Sequence, residues 1–141
     1  MISGFIKTLP PSVNEMYTYT TRGPRPSAKM KKFKAEANSE ILRQINFSDE
    51  PLVKDVAYRL QLDFFMPALF NKGFPSKAKT RFKRRDVTNL VKVFEDVLCA
   101  VYGIDDCQFI EVALKKLHGP DYDQVGVAYR ISRCEEVDCE Y

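Results

Sequence analysis

Residues 56–66 read VAYRLQLDFFM, and their alternation decides the architecture. Val56, Tyr58, Leu60, Leu62, Phe64 and Met66 fall on one side and Arg59, Gln61 and Asp63 on the other, the period of two of a strand with one face on a core. Pro67 ends the run, because proline brings no N–H to a ladder. Towards the N-terminus, Ser27 is a plausible N-cap, and Met30, Phe33, Ala37, Ile41 and Ile45 follow at steps of three and four. That spacing predicts an amphipathic helix over 27–46. Residues 2–9 (ISGFIKTL) read as a first strand stopped by Pro10-Pro11, with a loop between it and the helix. On the C-terminal side, residues 68–85 are rich in Lys, Arg, Gly and Pro without an apolar period, which predicts a mobile loop. Leu90, Val93, Phe94, Val97, Leu98 and Val101 then form the apolar face of a helix over 86–102, stopped by Gly103. Two more alternating runs follow, Ile110, Val112 and Leu114, then Val125, Val127, Tyr129 and Ile131, on either side of the turn-like HGPDYDQ. Their adjacency favours an antiparallel hairpin. The expected fold is α+β, a single-layer mixed sheet of about four strands with two main helices. One domain is expected over residues 1–133, with an acidic, frayed tail over 134–141.

The 22 basic and 19 acidic residues of this 141-residue chain give a net charge of only +3, but the charges are segregated. Residues 16–35 hold Arg22, Arg25, Lys29, Lys31, Lys32 and Lys34 without an acid, and residues 71–85 hold Lys72, Lys77, Lys79, Arg81, Lys83, Arg84 and Arg85, again without one. Elsewhere nine basic residues face all 19 acidic ones. Two positive patches on an otherwise acidic chain point to a polyanion partner, unless they are simply solvated loops. The four cysteines show no CxxC spacing, and His118 is the sole histidine, which argues for reduced thiols rather than a zinc site. Lys7 inside the first apolar stretch and the double proline after it match no signal peptide, and no apolar run approaches the roughly 20 residues that cross a bilayer. The expectation is a cytoplasmic protein with no membrane partner.

Candidate chemistry lies in RRDVTNLVKVFEDVLCAVYGIDDCQ, residues 84–108. Asp86 precedes the helix, Asn89, Lys92 and Asp96 share its polar flank, and Asp105-Asp106 sit where it hands over to the next strand. A few carboxylates beside a phosphate-binding surface suffice to hold a hard divalent ion for phosphodiester hydrolysis. Each residue also has a structural explanation. Asp86 can act as an N-cap, Lys92 and Asp96 as a helix-face pair, and Asp105-Asp106 as a turn.

The run Asp86-Val87-Thr88-Asn89-Leu90-Val91-Lys92, followed by Ile104-Asp105-Asp106-Cys107-Gln108, resembles the D-x-D-N-L-x-K … DD-x-Q signature of the RusA family of Holliday-junction resolvases. Pro10-Pro11-Ser12-Val13-Asn14 looks like that family's opening PPS-x-N. The resemblance implies a homodimeric, Mg²⁺-dependent endodeoxyribonuclease, with Mn²⁺ as an alternative ion, that nicks two strands of a four-way junction. It places Asp86 and Asp106 as metal-binding and catalytic aspartates, Asp105 as the neighbouring acid, and Lys92 as the catalytic lysine. The DNA-binding set on this reading is Asn14, Arg22, Lys29, Lys31 and Lys32 with Lys79, Lys83, Arg84 and Arg85. Tyr17, Tyr19 and Phe74, interleaved with the basic loops, could stack on splayed bases, although buried or partly exposed packing is the favoured reading for each. The family is frequent in phages, so a bacterial or phage-infected cell is the expected setting.

Thr88 departs from the signature, since it stands where the family usually has its second aspartate and cannot supply a carboxylate. This keeps open a catalytically weakened, junction-binding structural protein, and the basic aromatic loops keep open a single-stranded nucleic-acid-binding module. Spacing raises a further question, because residues 88–101 as one helix would separate Asp86 from Asp106 by roughly 20 Å at 1.5 Å per residue. Either the flanking loops fold back, or the carboxylates meet across a two-fold interface.

Overall fold

The alternating stretch forms an interior strand of the sheet in a computed structural model that describes residues 1–46, 48–83 and 87–134, with only the backbone of Val13. In chain order the elements are β1 (Ile2–Ile6), a one-turn α1 (Val13–Met16), β2 (Tyr17–Thr20), β3 (Gly23–Pro26), α2 (Ala28–Gln44), β4 (Tyr58–Met66), a 3-10 turn (Val87–Leu90), α3 (Val91–Tyr102), a second 3-10 turn (Asp106–Gln108), β5 (Phe109–His118), a third (Gly119–Tyr122) and β6 (Gly126–Arg133). The main sheet has the order β1-β6-β4-β5, with β4 and β5 parallel and the other neighbours antiparallel. The expected α+β class, mixed four-stranded sheet and two main helices are therefore present. No helix among the described residues is long and apolar enough to cross a membrane.

Tyr58, Leu60, Leu62, Phe64 and Met66 are buried on the helix side of β4, as the period of two required. α2 buries Met30, Phe33, Ala37 and Ile41, and α3 buries Val93, Phe94, Val97 and Leu98. Phe94 joins the layers, with its ring edge-to-face with Phe33 at 5.6 Å and with Phe64 at 5.5 Å. Such pairs add roughly 0.5–1.5 kcal/mol each beyond their burial. The Ser27 side chain accepts from the Met30 N–H and caps α2.

The expected β5–β6 hairpin does not form, because β4 lies between the two strands. The link between them instead crosses the C-terminal end of β4. There Gly119 lies so close that a Cβ would meet the Met66 carbonyl oxygen at 2.6 Å and that of Gln124 at 2.4 Å. Side-chain composition agrees with this order: β6 buries Val127, Tyr129 and Ile131, whereas β5 exposes Glu111, Lys115 and Lys116, as suits an edge. α3 is thus the crossover that a parallel β4–β5 pair needs.

Two loops of the sequence reading are also ordered. Residues 17–26 pair as a small antiparallel hairpin, β2 with β3. In the connection expected to be mobile, Phe70 and Phe82 form an antiparallel bridge closed by Asn71 N–H to the Arg81 carbonyl (2.9 Å) and Lys83 N–H to that of Leu69 (2.8 Å). The outer edge of β1 is covered by α2 side chains. Phe5 exchanges two 2.6 Å hydrogen bonds with the Gln44 amide, and the Lys7 N–H donates to Glu40 Oε2 at 2.9 Å. At the end of β6, the Cys134 N–H donates to the Ala57 carbonyl. The rest of the acidic tail, residues 135–141, lies outside the described residues.

Candidate nuclease site

Val87 and Leu90 anchor the 3-10 turn in the core, which leaves Thr88 and Asn89 exposed. The chain then enters α3, whose second residue is Lys92. At the other end Gly103 takes a left-handed conformation (φ 69°), its N–H bonded to the Cys99 carbonyl at 2.9 Å. Glycine adopts this conformation without Cβ strain. Buried Ile104 seals the turn. The chain folds back along α3 from there, and the Lys92 ammonium donates to Asp106 Oδ2 and lies 3.3 Å from Asp96 Oδ1. The regular helix spans only Val91–Tyr102, while Asp86, the other end of the expected 20 Å separation, lies outside the described residues, so the observed geometry bears only on Asp106. Folding back within one subunit brings it to the start of α3.

Gln108 holds this return, and it is the one buried polar residue in the described core. Its Oε1 accepts from the Asp105 N–H (3.0 Å), and its Nε2 donates to the carbonyls of Val53 and Val56 (2.9 Å each). The side-chain amide thus ties the Asp105-Asp106 turn to the segment entering β4. Only the residue itself is legible in the sequence, as part of a signature; its partners lie 52 and 55 positions away.

The Lys92 hydrogen bond and charge hold the Asp106 carboxyl below its ordinary pKa. Asp106 first, and Asp96 second, raise that of Lys92. Burial raises the Glu95 carboxyl and pushes the Cys99 thiol up to about 11, with nearby carboxylates adding to both. Asp105 is exposed. Asp86, Arg84 and Arg85 lie outside the described residues. Among the described residues no three Asp, Glu, His or Cys side chains are grouped as a metal cage. The donors at the turn, the Asp105 and Asp106 carboxylates, are the oxygen type a hard divalent ion takes. The donor chemistry therefore fits such an ion, with the set incomplete over the described chain.

The expected DNA-binding residues fall on two surfaces. Exposed Asn14 lies in α1, Arg22 in the β2–β3 turn, and Lys29, Lys31 and Lys32 in the first turns of α2. Lys29 pairs with Glu15 at 2.9 Å and Lys32 with Glu36 at 3.9 Å. Both pairs are solvent-exposed and worth about 0–1 kcal/mol, so a phosphate can displace them. Lys79 and Lys83 lie exposed in the Phe70–Phe82 hairpin. Tyr17, Tyr19 and Phe74 are exposed rather than packed in the core, Tyr19 at 83%.

No curated protein sequence matches the chain. The profile of the family described as Endodeoxyribonuclease RusA matches residues 8–128, which include the basic hairpins, α3 and the Asp105-Asp106 turn. The chain belongs to the RusA family of endodeoxyribonucleases, which act on branched DNA junctions.

Proposed function

We propose that this chain is a Mg²⁺-dependent Holliday-junction resolvase that works as a two-fold dimer. The observation that carries the reading is the Lys92–Asp106 pair, held at the start of α3 and preceded in the chain by two basic segments. Asp106, Asp105 and, by family resemblance, Asp86 would hold the ion, with Mn²⁺ an acceptable substitute. When bound, the ion supplies Lewis-acid polarisation of the phosphodiester. Lys92 keeps Asp106 ionised and aimed, and its ammonium stabilises negative charge that develops on the phosphate. Arg22, Lys31, Lys79 and Lys83, with Arg84 and Arg85, hold backbone phosphates, so binding weakens steeply with salt. A two-fold dimer places two such sites on the near-two-fold junction. The outer edge of β5, which no strand covers among the described residues, is available for association.

Thr88 favours a second reading, a junction-binding protein with weakened cleavage. Its neutral hydroxyl lies exposed in the 3-10 turn before α3, where the family's usual aspartate would add a charged ligand. Incubation of a labelled four-way junction, a linear duplex and a single strand with the protein in Mg²⁺ and in Mn²⁺ separates the readings. A resolvase cuts the junction alone, the weakened protein shifts it without product, and a single-strand module prefers the linear strand.

A further inference from the structure

Between Pro67 and Lys83 the chain builds a hairpin whose aromatic pair the cleavage chemistry does not use. The Phe70 and Phe82 rings lie 5.7 Å apart, tilted by 42°. The Asn71 side-chain amide closes the hairpin behind them by donating to the Thr80 carbonyl (2.8 Å), the Thr80 hydroxyl (3.2 Å) and the Phe82 carbonyl (3.3 Å). The pair is fixed to the sheet through His118 at the end of β5. That imidazole meets the Phe70 ring at 5.5 Å, and its Nδ1 accepts the Leu69 N–H at 3.2 Å. Despite this anchoring Phe82 is 58% exposed and Phe70 42%. Lys72, Lys77, Lys79, Arg81 and Lys83 lie in or beside the same hairpin, all exposed, and residues 64–85 contain no acid. The Arg81 guanidinium lies 5.9 Å from the Phe82 ring centroid.

We infer that the Phe70–Phe82 face is a stacking platform for unpaired nucleobases at the branch point, with the hairpin's lysines and Arg81 holding the adjoining phosphates. This rests on the branched-DNA reading above and names the part of the junction that the hairpin takes. The charge pattern selects the occupant. A single-stranded segment presents a π-face and one negative charge at every nucleotide, which an exposed aromatic pair on a hairpin rich in cations and free of acids complements on both counts. A fully paired arm offers phosphates but no free base face, so the aromatic pair discriminates the branch from the arms.

The test uses the full chain without divalent ions, so that binding is read without cutting, on a four-way junction carrying 2-aminopurine at the branch or within an arm. Wild-type protein is expected to raise the fluorescence of the branch probe but not of the arm probe. Phe82→Ala is expected to abolish most of that rise and to weaken junction binding about tenfold while keeping its salt dependence, since one lost base stack is of that order. Phe82→Trp is expected to retain the rise. Phe82→Leu keeps an apolar contact with Phe70 without an aromatic face, and it should behave like Phe82→Ala with an unchanged melting midpoint. Wild-type binding with no branch signal, or an undiminished signal in both Phe82→Ala and Phe82→Leu, overturns the stacking platform and leaves the junction reading standing. A wild-type protein that does not bind the junction overturns both.

Discussion

Lys92 and Asp106 are in contact although fourteen positions and nearly all of α3 separate them in the chain. That contact depends on two devices, the left-handed Gly103 that reverses the chain and the Gln108 amide that fixes the returning turn. The ammonium depresses the Asp106 pKa, so the carboxylate stays charged to lower pH than an unpaired one. In Lys92→Ala that support is gone and the Asp106 pKa rises towards the ordinary range. The acid limb of the cleavage–pH profile should therefore move to higher pH, and single-turnover cleavage at neutral pH should fall roughly 10²–10³-fold with junction binding largely kept. Superimposable acid limbs for variant and wild type would show that the pair does not govern ionisation during cleavage.

Gln108→Ala removes three hydrogen bonds at once and leaves the Val53 and Val56 carbonyls short of a partner. A loss of about 2–4 kcal/mol is expected, or roughly 10 °C in melting midpoint. Cleavage at a temperature where the variant is fully folded should fall as well, because the Asp106 turn loses its tether. Thermal unfolding and single-turnover kinetics on the same preparation check both parts.

Phe94→Ala should destabilise the fold by about 3–5 kcal/mol, since that ring packs against both Phe33 and Phe64 and, among the described residues, no other side chain joins α2, α3 and β4 by two ring contacts. Phe94→Leu should cost clearly less. Chemical denaturation of the pair of variants measures the difference.

Cys99 and Cys107 should separate by reactivity. Cys99 is partly buried with its thiol pushed up to about 11, while Cys107 is exposed. At pH 8 almost none of Cys99 is thiolate, and its reactive fraction grows only as pH rises towards 11. Iodoacetamide labelling at pH 8, read by peptide mass spectrometry, should modify Cys107 well before Cys99.

Periodicity made the framework legible in the sequence. β4, α2 and α3 bury most of the residues their spacing nominated, because a single face meets the core, while Val56, Ile45 and Val101 at the ends of the three patterns are half-buried. Strand pairing was less legible, since adjacency in the chain favoured β5 with β6 while the apolar side chains of β6 and the charges of β5 place β4 between them. The β2–β3 hairpin escaped because all four residues of Tyr17–Thr20 face solvent and leave no apolar pattern. The Phe70–Phe82 bridge escaped because its order comes from the Asn71 side chain and from His118, not from an apolar repeat. Asp105, Asp106 and Lys92 stood out by motif. Their arrangement did not, because it is set by the Gly103 reversal and by carbonyls more than fifty residues from Gln108.

The most direct measurement labels each strand of a symmetric four-way junction in turn and maps the cuts made by wild-type protein and by Asp106→Asn. Paired nicks at symmetric positions in two opposed strands are expected from wild type with Mg²⁺ and none in chelator, with the variant binding the junction but leaving it whole. Intact junction after wild-type treatment in both Mg²⁺ and Mn²⁺, or equal cutting by Asp106→Asn, would contradict a metal-dependent resolvase built around Asp106.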